Sequence, residues 1–377
     1  MKAFPLHAKL EGSYPLKKSK KEKRMYPFYL GIDLHLKRSY VVLMDDSGKI
    51  IDERRLRNAE VEQYLIEVVP QNTHAVLEAT RNWPFMYDLL SEHVARVDLA
   101  HPKQLKAIAT AVVKDDPIDS RTLAHLARLD YLPTAYAAPK QVRDLRTYLR
   151  HRDWLVRQRT QCKNRVHAVL AGYNLVSPKS DLFGVKGQAF LAEAAVSLQP
   201  GARRMLSDHL ELIDQLTSKI KALEAQRTLT PEQCRQVRLL KTIPGVGDLT
   251  ASIIVAEIGA IERFNSPKAL CNWAGLTPRV RKSDTRVRHG RISKQGSAYL
   301  RAAMTRAASV ASKHSQRWRQ VHDTLVPRCG KTAAKVAVAR RLLTVVYYML
   351  IRNQVYQEDY SPQPAGGTGE PVVDMVL

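Results

Sequence analysis

Three short apolar runs crowd into the first part of the chain: Tyr29–Asp33, Ser39–Met44 and the weaker Lys49–Arg54. Asp46-Ser47-Gly48 supplies a hairpin turn between the second and third. Parallel strands would need a crossover of about a dozen residues, so runs this close are read as hairpin-linked neighbours. The pattern then changes. Ala59–Val69 reads as a helix, His74–Glu78 as a strand, Phe85–Val94 as a helix and Arg96–Ala100 as a strand, with further helix from Pro102. A meander followed by alternating helix and strand commits residues 27–135 to a mixed α/β domain.

That order is the order of an RNase H-like α/β fold, in which the first and fourth strands are neighbours and the next helix packs over their ends. Acidic residues stand at each of those places. Asp33 ends the first strand and Glu78 a later one. Asp116 and Asp119 open a helix in Lys114-Asp115-Asp116-Pro117-Ile118-Asp119, spaced so that they share a face. Four converging carboxylates repel one another unless a divalent metal fills the site. Mg²⁺ suits such oxygen donors and keeps water in its shell, with Mn²⁺ as a substitute. Two such ions ~4 Å apart can clamp the attacking and leaving oxygens of a phosphoryl transfer. Each acid also has an ordinary structural role open to it. Asp33 can be a turn residue and Glu78 a solvated strand end. Asp116 can be an N-cap, with Pro117 at N1 and Asp119 at N3 of a capping box. Their joint placement strengthens the metal reading, and order and placement alone leave both readings open.

Lys plus Arg number 60 against 36 Asp plus Glu, a formal charge of +24. A surplus this large repels itself unless a polyanion is present. Nucleic acid is the expected partner, through phosphate neutralisation and counterion release, with an anionic membrane surface the weaker alternative. A hydrophobic fraction of 45% excludes wholesale disorder. A membrane protein is not expected, because no run of about 18 uncharged apolar residues occurs. The best stretch, Ala333 to Ile351, contains Lys335, Arg340 and Arg341. The four cysteines form no C-x-x-C pair, which argues against a zinc ribbon or a redox motif. With no secretory signal in view, the expected location is the cytoplasm.

The rest of the chain divides by composition. Residues 1–26 read as a disordered basic tail carrying Lys17, Lys18, Lys20, Lys21, Lys23 and Arg24, either a solvated extension or a nucleic-acid-binding arm. Met25, just before the first strand, is a candidate start. Residues 136–232 read as a basic helical or coiled-coil linker. Arg143, Arg146, Arg150, Arg157, Lys163 and Arg165 line a helix with Val142, Leu145 and Leu149 on one side. Ile213, Leu216, Ile220 and Leu223 follow with 3-4-3 spacing, the seam of a coiled coil or helical hairpin. Residues 233–355 form a mainly α unit, and 356–377 a Gly- and Pro-rich disordered tail.

Two motifs in the mainly α unit carry chemistry. Leu240–Gly247, followed by an apolar run from Ala251, is a helix-hairpin-helix pattern. Its Gly245-Val246-Gly247 turn would bring backbone N–H groups to a phosphate; an ordinary Gly-rich helix connection looks the same. Between Arg279 and Lys294 seven residues are basic, namely Arg279, Arg281, Lys282, Arg286, Arg288, Arg291 and Lys294, and Asp284 is the only acid. Ser283 lies among them. A serine so placed can attack a phosphodiester while the cations stabilise the developing charge, or it can simply contact phosphate.

Taken together these residues resemble one family, the insertion-sequence one-ten transposases. Those have a RuvC-like DEDD domain and a separate C-terminal transposase domain with a serine, and are also called bridge-RNA-guided recombinases. The N-terminal match is Tyr29-Leu30-Gly31-Ile32-Asp33, Leu77-Glu78-Ala79-Thr80 and Lys114–Asp119. The C-terminal match is Thr242–Gly247, Ala256-Glu257-Ile258-Gly259, Ala274–Pro278 and Arg291-Ile292-Ser293-Lys294-Gln295-Gly296. The resemblance implies that Asp33, Glu78, Asp116 and Asp119 bind metal and that Ser283 is the nucleophile. It also implies a homo-oligomer, a dimer or tetramer, in which one protomer's carboxylates meet its partner's serine. It further implies a guide RNA that pairs with donor and target DNA, delegating sequence choice to base pairing. The chain departs from its relatives in having Asp284 where many have Gly, and Arg81-Asn82-Trp83 after Thr80.

The expectation is therefore a DNA transposase or recombinase working through a phosphoserine. A RuvC-like nuclease, in which water attacks and Ser283 only contacts phosphate, is the rival. A non-catalytic nucleic-acid-binding protein that kept the fold is a third reading.

Overall fold

A computed structural model describes residues 26–108, 115–283 and 286–358; of residues 281–283 and 286–289 it describes the backbone alone. Most of the expected tails, and Asp284, lie outside the described residues. The chain divides into two compact units, at Ala137/Ala138.

The first unit opens with β1 (Phe28–Leu34), β2 (Arg38–Asp45) and β3 (Ile50–Arg57). Gly48, at φ +92°, allows the turn into β3, and its N–H donates to the Asp45 carbonyl. Then come α1 (Val61–Glu67), β4 (Thr73–Glu78), α2 (Trp83–His93), β5 (Arg96–Ala100), α3 (Pro102–Ile108), α4 (Asp116–Arg128) and β6 (Thr134–Ala135). The sheet order is β3-β2-β1-β4-β5-β6. β1 pairs antiparallel with β2 and parallel with β4, so the first and fourth strands are neighbours, as expected of an RNase H-like sheet.

Alternation along the strands builds two cores. Leu30, Ile32 and Leu34 of β1 pack with Val61, Tyr64 and Leu65 of α1 and with Met86 and Leu90 of α2. Tyr29 faces the other way, with Val42, Met44 and Val76, onto Leu123, Ala124 and Ala127 of α4. Gly31, two residues on from Tyr29, shares that second face. A Cβ there would stand 2.0 Å from the Ser120 carbonyl oxygen, so only glycine lets α4 come this close. The buried Ser120 hydroxyl accepts from the Asp33 N–H at 3.1 Å and donates to the Tyr40 carbonyl at 3.0 Å. Arg121 clamps Glu53 of β3, with its shortest contact at 2.6 Å. Arg128 donates to the Asp46 carbonyl.

At the opposite end of the sheet, His74 of β4 and Arg96 of β5 both meet the Asp98 carboxylate, at 3.1 and 2.6 Å. Burial pushes the Asp98 carboxyl up. The His74 and Arg96 hydrogen bonds outweigh it and hold the group below its ordinary value of 3.8.

The second unit is helical apart from one ribbon. It comprises α5 (Lys140–Gly172), α6 (Val185–Ser197), α7 (Pro200–Ala225), α8 (Pro231–Leu240), α9 (Asp248–Ile258), α10 (Pro267–Trp273), the strands β7 (Pro278–Ser283) and β8 (Arg286–Ile292), α11 (Ala298–His314) and α12 (Gln316–Arg352). α5 and α7 form an antiparallel hairpin. Tyr148 bonds the Leu223 carbonyl, Arg159 bonds Thr217, and Val166 and Leu170 share a core with Leu206 and Ile213. Of the 3-4-3 seam, Ile213 and Ile220 are buried. Leu145 and Leu149 of α5 pack with Ile253 and Ala256 of α9 and Ala303 of α11. The helical linker and the C-terminal helices therefore share a core, although composition separates them at residue 232. Non-helical geometry at Gly330 (φ +80°) splits α12, and the apolar stretch Ala333 to Ile351 lies in its second half. No helix among the described residues is long and apolar enough to cross a membrane.

Gly31→Ala is expected to destabilise the chain by about 1–3 kcal/mol or more, because backbone must move. The entropic gain of a Gly→Ala change, about 0.4–1 kcal/mol, is too small to offset it. Urea unfolding that finds the variant equally or more stable would contradict the close approach of α4. Asp98 generates a pH test. Its folded pKa is depressed, so its contribution is present above the ordinary carboxylate range and is lost as pH falls through the folded value. Asp98→Asn should be less stable than wild type at pH 7, with the gap closing as pH falls below 3.8. A gap that stays constant over that range would show that ionisation of Asp98 plays no part.

Candidate active site

The carboxylates expected to work together all belong to the first unit. Asp33 and Glu78 follow the last registered β1–β4 pair, Ile32 with Leu77, by one position each. Strand alternation puts both on the sheet face covered by α4. α4 begins at Asp116, so the Ser120 hydrogen bond to Asp33 also brings Asp116 to the end of β1 and Asp119 within electrostatic reach of Asp33; among the described residues the close group of donors is Asp33, His35 and Asp116, without Glu78 or Asp119.

Asp33 and Asp116 meet around a residue that sequence reasoning passed over. His35 Nε2 lies 3.1 Å from Asp33 Oδ2 and 3.2 Å from Asp116 Oδ1. Arg55 reaches the other Asp116 oxygen at 3.5 Å. Asp116 therefore turns its carboxylate into the site. The N-cap position belongs to Asp115, and its side chain makes no capping bond, so the capping box open to Asp116 in the sequence is not the arrangement adopted. Burial pushes the Asp33 carboxyl above its usual value; His35 pulls it down, and the charges of Asp116 and Asp119 push it up again, leaving it raised.

The donors fit a divalent cation. One nitrogen and two carboxylate oxygens lie within 4.8 Å of one another. Adjacent donors around a six-coordinate ion with bonds of about 2.1 Å stand roughly 3.0 Å apart, close to the His35 separations seen here.

His35 itself is held by its backbone. Its carbonyl accepts from the Asn58 and Asn82 side-chain amides, each at 3.0 Å, and its N–H donates to the Arg38 carbonyl at 3.0 Å. The only sequence signal for His35 is its place two residues after a strand-end aspartate.

Ser283 belongs to the second unit, at the end of β7, paired with Arg286 of β8. The root of this ribbon is fixed. Gly275 (φ +70°) and Gly296 (φ +71°) let backbones touch: a Cβ would stand 2.1 Å from the Gln295 carbonyl oxygen and 1.9 Å from the Trp273 carbonyl oxygen, respectively. Arg301 donates to the carbonyls of Ala274, Gln295 and Gly296. Arg279, Arg291 and Lys294 are exposed; Arg281, Lys282, Arg286 and Arg288 lie on the strands.

The cations of α5 divide by task. Arg146 donates to the Ala256 and Glu257 carbonyls, and Arg150 clasps the buried Glu257 carboxylate with two bonds of 2.9 Å. Arg143 bonds the Ala138 carbonyl. Arg157 pairs with Asp153 and stacks on Tyr299, and Lys163 lies over the Phe183 ring. Arg165 is exposed. The two glycines of the α8–α9 turn also differ. Gly245 (φ +85°) is packed against α11, where a Cβ would meet the Ala307 carbonyl oxygen at 2.6 Å, whereas Gly247 has open space around it at the start of α9.

Residues 237–323 match the model of the Transposase IS116/IS110/IS902 family, and residues 30–175 match that of a DEDD transposase of the IS110 type. The chain belongs to this transposase family. Its relatives include the transposase of insertion sequence element IS1111A from Coxiella burnetii, 26% identical over 87% of this chain and 91% of that protein. The transposase of IS1328 from Yersinia enterocolitica is 22% identical over 87% and 98%. A pilin gene-inverting protein from Moraxella bovis is 31% identical over 34% and 41%. The transposase thus has a first unit of the DEDD type, for which an RNase H-like fold and a divalent-metal site are the coarse expectation.

Asp33→Asn separates stability from activity. A raised folded pKa means that the folded chain holds this proton more tightly than the unfolded one. Stability therefore falls as pH rises from the unfolded value through the folded one. With metal chelated, Asp33→Asn should melt higher than wild type at pH 7 and converge with it in acid. Strand cleavage in metal should drop by about a hundredfold or more. A lower melting temperature at pH 7 would sink this account of the site.

Proposed function

We propose that this transposase cuts and rejoins DNA through a covalent bond to Ser283, with Asp33, Glu78, Asp116 and Asp119 holding divalent metal beside the scissile phosphate. The observation that carries the reading is the meeting of Asp33 and Asp116 around one point at the ends of β1 and α4, in a chain of this family. Mg²⁺ or Mn²⁺, when bound there, supplies positive charge for the phosphoryl oxygens. Ser283 Oγ attacks phosphorus. A P–Oγ bond forms, the bond to a deoxyribose oxygen breaks, and that oxygen leaves with the electron pair and takes up a proton as the serine gives one up. Attack by a hydroxyl of another strand on the phosphoserine reverses the step and joins new ends.

The basic residues serve this reaction in two ways. Arg279, Arg281, Lys282, Arg286, Arg288, Arg291 and Lys294 draw the phosphate backbone to the ribbon. Arg157, Lys163 and Arg165 of α5 offer further contacts, as does the Gly247 end of a helix-hairpin-helix element. We further propose that protomers assemble as a dimer or tetramer, so that carboxylates and serine come from different copies. In this reading an element-encoded RNA pairs with donor and target DNA and selects both.

One feature favours a second reading: the side chains that meet, Asp33, His35 and Asp116, all belong to the first unit. Hydrolysis by water would then need no serine, and Ser283 would only contact phosphate.

Ser283→Ala distinguishes the two. If the serine attacks, the variant loses both recombination and the protein–DNA adduct. Its DNA binding changes by no more than the worth of one hydroxyl contact, about 0.5–1.5 kcal/mol. Labelled DNA incubated with protein, RNA and Mg²⁺ is run on a denaturing gel. A protease-sensitive, slow band with wild type alone supports the covalent route. Cleavage that persists in Ser283→Ala, with no such band in either protein, overturns it.

A further inference from the structure

We infer that His35 is itself a ligand of the metal, giving the site one nitrogen donor among its carboxylate oxygens; this rests on the reading of the carboxylates as metal ligands given above. Three independent features point the same way. The first is distance: Nε2 stands 3.1 and 3.2 Å from oxygens of two different carboxylates, one on β1 and one on α4. These separations approximate those between adjacent donors of a six-coordinate ion, about 3.0 Å. The second is placement. His35 lies just past β1, and its main chain is fixed by the Asn58 and Asn82 amides and by the Arg38 carbonyl, from three separate segments. A ring hanging from so well-fixed a backbone is aimed before any ion arrives, which is what a ligand shell requires. The third is access: the His35 side chain is 54% exposed. An imidazole used only as packing would be covered, whereas this one borders both solvent and the carboxylates.

The consequence is a preference among ions. Carboxylate and water donors suit Mg²⁺ and Mn²⁺ alike, but an imidazole nitrogen shifts a site toward transition ions. A site with Asp33, Asp116 and His35 should therefore bind Mn²⁺ more tightly than Mg²⁺, and His35 should be the residue responsible. Asn82 is then a positioning residue, acting through the His35 carbonyl.

The test uses the full-length chain and Mn²⁺ alone, without DNA or RNA. Mn²⁺ binding is followed by electron paramagnetic resonance, Mg²⁺ by competition, and nitrogen coordination by spin-echo modulation from ¹⁴N. Wild type should show imidazole ¹⁴N coupling. His35→Ala should lose that coupling and bind Mn²⁺ about tenfold more weakly, with a much smaller change for Mg²⁺. Asp116→Asn should lose the bound ion, which places it at this site, and thermal melts verify that both variants fold. Mn²⁺ bound by wild type through Asp116 but without ¹⁴N coupling overturns the role of His35 and leaves the carboxylate reading standing. Mn²⁺ binding that is absent in wild type, or indifferent to Asp116→Asn, overturns both.

Discussion

The first unit depends on a close approach of two backbones. α4 lies against β1 where Gly31 has no side chain, and the Ser120 hydroxyl bridges the Asp33 N–H and the Tyr40 carbonyl across the gap. A strand end is an ordinary place for an aspartate, and a helix start is another. What makes them one site is that the helix is pulled down onto the strand within the same turn that carries the acids. The cost is electrostatic. Asp33 is half-buried beside Asp116 and Asp119; burial first, and those neighbouring charges after it, push its pKa up against the pull of His35. Stability at the site is thus given up for a place where a cation is wanted.

Much of this was legible in the sequence. The meander could not be anything but antiparallel, and once β1 and β4 were neighbours, Asp33 and Glu78 had to end side by side. Tyr29–Asp33 reads as a strand, and the pleat then gives its residues alternate faces. His35 was illegible for a physical reason: it lies just beyond the strand, where no periodicity says which way a side chain turns, and its aim is set by Asn58 and Asn82, remote in sequence. The β7–β8 ribbon was hidden differently. Arg279, Val280, Arg291 and Lys294 are all exposed, so no apolar face marks the alternation of a strand.

Charge in a sequence also says less about surfaces than it suggests. The run of arginines on α5 reads as one basic face. In the fold Arg146 and Arg150 are turned onto α9, where Glu257 would otherwise be a buried, unpaired carboxylate. Those two cations hold the helical hairpin to the C-terminal helices. Gly245 teaches the same lesson, since a motif glycine expected at a phosphate is consumed by packing on α11.

The ribbon bearing Ser283 has a further property. In its register Arg281 stands opposite Arg288, and an isolated two-stranded hairpin is marginal in water even without such a pair. Its root is locked by Arg301 and two glycines, while further along the register sets one arginine position against another. Dissolved salt therefore acts on it in opposite senses. Screening relieves the repulsion and tightens the free ribbon, while on the proposed role of its cations the same ions compete with phosphate and would loosen its hold on a polyanion. Under that proposal cohesion of the free ribbon and its grip on nucleic acid respond to salt in opposite directions, and a bound phosphate backbone would itself supply the screening charge.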